Sequence, residues 1–152
     1  MKVIVAAVGK PRDADLAAAI GSYEERAARY WPLEVREVRE ENARGLSADV
    51  VRAKEADRLA GRVQGATVIA CDERGESMSS PAFAAFLQEA RERARDIAFV
   101  IGGSYGLADS LRAGARTLSL APWTLPHELA RLVLAEQLYR AGTIVRGEPY
   151  HK

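Results

Sequence analysis

The sequence has a single cysteine, Cys71, and so no intrachain disulfide. Its only histidines are His127 and His151, and no Cys/His cluster has the spacing of a zinc site. A metal centre is therefore not expected, and the cysteine usage fits a reducing cytoplasm. No apolar run approaches the length that crosses a bilayer. The opening "MKVIVAAVGKPRD" places a short apolar run after a lysine. Lys10, Arg12 and Asp13 stand where a leader would be cut, so the run reads as a first strand. Strong charge is also missing: 22 Lys and Arg against 21 Asp and Glu leave a net +1. A protein that grips nucleic acid through bulk charge is more basic. Any such surface here must be a local patch or one shared by two chains. There is no G-K-[ST], which excludes a P-loop.

What is present reads as one globular domain over residues 1–152, with 48% hydrophobic and 28% charged residues. Strand-length apolar runs alternate with helical patterns. "KVIVAAV", "LEVREV", "ATVIACD" (Ala66 to Asp72), "IAFVIG" (Ile97 to Gly102) and "RTLSL" read as strands. Between them, Leu16, Ile20, Tyr23, Ala27 and Tyr30 recur at helical spacing. "SADVVRAKEADRLAGRV" is a second helix with Ser47 as N-cap. "SSPAFAAFLQEARERA" is a third, with Ser80 as N-cap and Pro81 at the first helical position. The last helix is expected from Thr124 or Leu125 to about Ala141, with Pro126 in its first turn. "EENARGLS" reads as a mobile polar loop, and the arginines of "EARERARD", Arg91 and Arg95, as a solvated face. The alternation predicts an α/β fold: a parallel sheet with helices on both faces.

Parallel sheets bind ligands beyond the carboxyl ends of their strands. Three such ends stand out here: "CDERGES", "GGSYGL" and "APWTLPH". The glycines Gly102, Gly103 and Gly106 lack the G-x-G-x-x-G order, and no acidic residue lies about 20 positions on, so a dinucleotide fingerprint is excluded. A tight turn is the plainer reading, although two adjacent glycines also let a ligand lie against bare backbone. Pro122 and Pro126 stiffen the third end, where backbone groups could surround a flat polar ring.

"VIGGSYGL", "LPHELARLVLAEQLYRA" and the terminal "RGEPYHK", in this order along the whole chain, resemble the ribosomal RNA large subunit methyltransferase H family, of the SPOUT class. The resemblance implies a parallel-sheet SPOUT-type fold with a C-terminal trefoil knot. It implies S-adenosylmethionine as cofactor, a homodimer, and methylation at N3 of a pseudouridine in the 23S rRNA of the assembled ribosome. It also implies a cofactor pocket of Cys71, Gly103, Ala121, Pro122, Trp123, Thr124, Leu125 and Pro126. Cys71 stands where the family often has Leu.

The ring N–H of a pseudouridine is weakly acidic, so a base or a stabiliser of the anion helps its methylation. His151, Tyr150 and Glu136 are the catalytic candidates; His127, Arg140, Arg146 and Lys152 are the substrate-side candidates. Glu136 lies in an apolar stretch and needs a partner, Arg140 or Arg131. His127 falls in the first turn of the last helix, where the dipole disfavours added positive charge. The tail is expected to fold back over a cofactor site, its own or a partner's. Rival readings are a SPOUT enzyme acting on another rRNA or tRNA base, a non-catalytic nucleotide-binding α/β module, and an RNA-binding accessory protein.

Overall fold

The structure, a computed structural model, describes residues 1–152. Five strands form one parallel sheet: β1 (Val3–Val8), β2 (Leu33–Val38), β3 (Thr67–Ser77), β4 (Ile97–Ile101) and β5 (Arg116–Ser119), in the order β2-β1-β4-β3-β5. Four helices connect them, α1 (Ala14–Ala27), α2 (Ala48–Ala60), α3 (Ser80–Glu92) and α4 (Asp109–Ala113), and α5 (His127–Val145) follows the last strand.

The apolar strands feed two cores, one on each face, because alternate side chains point to opposite sides. Val3, Val5, Ala7, Ile97, Phe99 and Ile101 meet Leu87, Leu134 and Leu138 of α3 and α5. Ile4, Ala6, Val8, Ala98 and Val100 instead meet Leu59 of α2 and Leu107. This two-faced burial explains why β1 and β4 read as continuous apolar runs. β2, at the edge, is only partly buried and keeps its alternating charges.

Several boundaries differ from the expectations. The N-cap of α3 is Ser79, whose hydroxyl accepts from Ala82 N–H at 3.3 Å. Ser80 is the first helical residue and turns its hydroxyl to Gln137 at 2.7 Å, so Pro81 takes the second helical position. α5 begins at His127 and runs to Val145; Pro126 is its N-cap residue. Its start waits for the last proline, because residues before a proline disfavour helical torsions. β3 runs beyond Asp72 to Ser77, and α4 is too short for its periodicity to show in the sequence. Ser47 caps α2, accepting from Val50 N–H at 3.3 Å.

Three charged side chains are structural. Arg131 is buried and bridges Glu24 of α1 at 2.8 Å and Glu37 of β2 at 3.0 Å, so it is not available to Glu136. Arg91 is not part of a solvated face: its guanidinium lies 4.1 Å from the Trp31 ring centre and donates to the Tyr30 carbonyl at 2.6 Å. Within "EENARGLS", Glu41 pairs with Arg58 of α2.

The α1–α5 seam closes at Gly142. A Cβ there would lie 2.3 Å from Tyr30 Cγ, and Tyr30 packs on Tyr139 with its ring centre 5.9 Å away. Alanine favours the helix by about 1 kcal/mol, but an overlap this deep with a ring falls in the upper part of the overpacking range, about 2–3 kcal/mol. Gly142→Ala is therefore expected to lose about 1–2 kcal/mol in urea unfolding. A variant as stable as the parent would contradict this packing.

Candidate active site

The carboxyl ends of β3, β4 and β5 meet at one edge of the sheet. A pocket there is lined by Cys71, Asp72 and Glu73, in the part of β3 that runs on past its pairing with β4, by Leu120, Ala121, Trp123 and Leu125 after β5, and by Ala130 of α5. Burial pushes the Cys71 thiol up to about 12, so it stays protonated and serves as a small apolar wall. The loop after β5 leaves its backbone free: the N–H groups of Ala121, Trp123, Thr124 and Leu125 donate to no protein group. Ser119 Oγ steadies the loop by donating to the Ala121 carbonyl at 2.7 Å. Pro122 and Thr124 are exposed, and Trp123 is 77% exposed on the pocket lip.

The glycine turn lines a neighbouring polar cleft that shares Asp72 and Glu73 with this pocket. Gly106 N–H donates to Gly103 O at 3.0 Å, and Gly106 has φ of +80°. A Cβ on Gly102 would sit 2.6 Å from Gly106 C, so the turn closes only without a side chain there. A Cβ on Gly103 would meet Val8 Cγ1 at 3.0 Å and Glu55 Oε1 at 3.1 Å. The side of Gly103 that a Cβ would occupy thus faces the packing beneath the turn. Ser104 and Tyr105 are exposed and line, with Asp72, Glu73 and Thr124, a polar cleft continuous with the pocket.

Asp72 organises this cleft. Its Oδ1 accepts from Arg74 N–H and Nε, each at 2.9 Å, and its Oδ2 from Arg112 Nη1 at 3.3 Å. Arg74 first, and Arg112 with it, hold the carboxyl below the usual carboxylate range.

A second cluster lies about 9 Å further along α5, from Ala130 to Glu136 at 1.5 Å per residue. Glu136 Oε1 accepts from Arg140 Nε at 2.9 Å, Arg140 Nη2 at 2.6 Å and the Tyr150 hydroxyl at 3.0 Å; its Oε2 accepts from Gln137 at 2.7 Å. The tail is thereby folded onto its own α5. Tyr150 lies with its ring centre 4.6 Å from that of Tyr139, and the Arg140 guanidinium sits 4.7 Å from the Tyr150 ring centre. Burial, with Tyr23 and Glu136, raises the Tyr150 phenol well above its ordinary value, so it keeps its proton and donates. Arg140 Nη1 is 3.3 Å from His151 Nδ1. A guanidinium only donates, so Nδ1 accepts and the ring proton is assigned to Nε2.

Most of the expected site residues fall in two groups. Gly103, Ala121 to Pro126 and Cys71 belong to the strand-end rim; Glu136, Arg140, Tyr150 and His151 form the tail cluster. His127 opens α5 between them, and its side chain makes no hydrogen bond. Arg146 sits apart, its guanidinium 4.6 Å from the Tyr30 ring centre and donating to the Arg29 carbonyl at 3.1 Å. Lys152 is exposed. Asp72, Arg112 and Gln137 went unnoticed in the sequence. Asp72 stands at the quoted strand end, but the pairing that marks it crosses 40 residues.

The profile of the family described as "Predicted SPOUT methyltransferase" matches residues 1–151. A curated relative from Gemmatimonas aurantiaca, named "Ribosomal RNA large subunit methyltransferase H", is 62% identical over 100% of both chains. The chain belongs to the ribosomal RNA large subunit methyltransferase H family of SPOUT methyltransferases. A relative of the same name from Pelobacter propionicus is 44% identical over 99% of both chains. The SPOUT fold is shared with TrmJ from Z. mobilis, at TM-score 0.55 and 16% identity over 100% of this chain and 73% of that one. A methylase family protein from Haemophilus influenzae Rd KW20 gives TM-score 0.59 and 13% identity over 99% of this chain and 70% of that one.

SPOUT methyltransferases use S-adenosylmethionine, and the lining of the strand-end pocket is chemically suited to its adenine ring. The pocket walls are mostly apolar apart from Asp72 and Glu73, and Ala121, Trp123 and Leu125 bring unpaired backbone N–H groups to it, as suits a flat heteroaromatic ring. The closed Asp72 network makes a specific prediction. A carboxyl held below its ordinary value stabilises the fold above about pH 4, and this contribution is lost as pH falls through the lowered value. Asp72→Asn is expected to cost about 1–2 kcal/mol at neutral pH, a difference that shrinks in acid. Equal losses across the pH range, read by urea unfolding, would contradict the pairing.

Proposed function

We propose that this SPOUT methyltransferase methylates N3 of a pseudouridine in the 23S rRNA of the assembled ribosome. The carrying observation is the full-length identity of 62% to a relative named for the ribosomal RNA large subunit. The tail cluster supports it, because it supplies the polar groups that an N–H nucleophile needs. We further propose that the enzyme is a cytoplasmic homodimer with a C-terminal trefoil knot. The exposed Trp123 and Leu129 flanking the pocket suit an interface between copies. A dimer also doubles the basic surface of a +1 chain.

The cofactor supplies a methyl group on an already activated sulfonium, so the protein's task is mainly positioning. Ala121 to Pro126 would surround the adenine with free backbone groups. Cys71 would wall it, and the main chain of the glycine turn would border the ligand, with Gly103 admitting the close packing of Val8 and Glu55 beneath the turn. On the substrate side, Glu136 has its oxygens occupied by four donated bonds and orients Arg140 and Tyr150. Arg140 in turn holds His151 with Nε2–H outward. That N–H donates to a carbonyl oxygen of the pyrimidine, where charge develops as the neighbouring N3 proton leaves to solvent. His127, Arg146 and Lys152 would meet the RNA, the last two at phosphate.

The test is incubation with methyl-labelled S-adenosylmethionine and unmodified ribosomes, followed by mapping of the labelled nucleotide. Label at N3 of one pseudouridine is expected; label on another base or on tRNA would overturn the reading. Removing Tyr150 to Lys152 is expected to lower kcat by about 100-fold or more with cofactor affinity held within about threefold. Equal loss of both would make the tail a lid on the cofactor.

A further inference from the structure

Glu55 of α2 is the buried carboxylate that no step above uses. It lies on the buried stripe Val51, Glu55 and Leu59, where helical spacing calls for an apolar residue. Its residue is 2% exposed. Oε2 accepts from the Glu41 backbone N–H at 3.1 Å, while Oε1 is enclosed and has no partner. A Cβ on Gly103 would lie 3.1 Å from Oε1 and 3.3 Å from Oε2, so the carboxylate packs directly against bare backbone of the glycine turn. A buried, half-satisfied charge is costly, and such groups collect where function needs a field.

The methyl donor and its product differ by one methyl group and one positive charge. A pocket shaped for one accepts the other, so only electrostatics separates them strongly. We propose that Glu55 sets the charge beneath the Gly103 turn so that the site prefers the cationic sulfonium to the neutral thioether. This rests on the placement of the cofactor beside Gly103. The carboxylate touches neither cofactor nor substrate; it acts through the turn, where little water intervenes and the field is weakly screened. After methyl transfer the attraction disappears, which favours product release. Burial raises the Glu55 carboxyl, and Glu40 and Glu41 add to this, while the Glu41 N–H and Arg58 favour its charged form.

Isothermal titration of the full chain with S-adenosylmethionine and with S-adenosylhomocysteine tests this. Glu55→Gln, which keeps the shape, is expected to weaken the sulfonium by about tenfold and the thioether by less than about twofold. Glu55→Asp, which keeps the charge, is expected to retain most of the preference. Equal weakening of both ligands, or an unchanged ratio, would overturn the proposal and leave Glu55 a plain brace. A measurement without any variant guards against misfolding of the Gln form. The sulfonium charge is independent of pH, so the wild-type affinity ratio should fall as the pH drops from about 8 to 5. Glu40, Glu41 and Arg58 face the same carboxylate, and Arg58 holds Glu41 ionised to lower pH. A flat ratio would overturn the proposal. Wild-type protein that binds neither ligand would refute the cofactor site itself, and the proposal with it.

Discussion

The backbone contact between Gly75 and Leu118 carries the architecture of the site. A Cβ on Gly75 would lie 2.8 Å from the main-chain N and C of Leu118, atoms that no rotamer change can move aside. The bare glycine lets β3 leave β4 and stay on β5. Leu118 is thus paired with Cys71 and again, past a register shift, with Glu76. This wrap presses Cys71, Asp72 and Glu73 against the loop that leaves β5, and those segments make the pocket. The same short β5 then delivers the chain to α5, which carries the tail cluster.

Charge is used sparingly and in separate circuits. The Asp72–Arg74–Arg112 group fixes one wall of the cleft. The Glu136–Arg140–Tyr150 group folds the tail. Arg131 joins α1, β2 and α5 from inside. Exposed ion pairs contribute little, but these are at least partly enclosed, and removing one partner strands the other. A nearly neutral chain can therefore still present polar chemistry of defined geometry.

Much of this was legible in the sequence, for physical reasons. Strands buried on both faces give continuous apolar runs, so β1 and β4 were visible at once. The edge strand β2 betrayed its wet side by alternation. The three strand ends were read from glycines, prolines and a polar turn, and the structure brings Cys71, Ala121, Trp123 and Leu125 around one pocket. What periodicity could not reveal were long-range pairings. Arg131 and Arg140 looked equivalent as partners of Glu136; packing sent the first inward and left the second on the helix face. Gly103 looked like clearance for a ligand, yet Val8 and Glu55 occupy the side its missing Cβ would fill. Glu55 left a trace as a carboxylate on an apolar stripe, a signal outweighed by the charged residues around it.

The central claim is that the ends of β3, β4 and β5 form one cofactor pocket. The most direct measurement is amide chemical-shift mapping of isotope-labelled protein as S-adenosylhomocysteine is added. The account predicts the largest shifts at Cys71 to Glu73, Gly102 to Gly106 and Leu120 to Leu125. Shifts centred instead on Gly9 to Arg12 and Glu37 to Glu40, which line a separate polar groove, would contradict it.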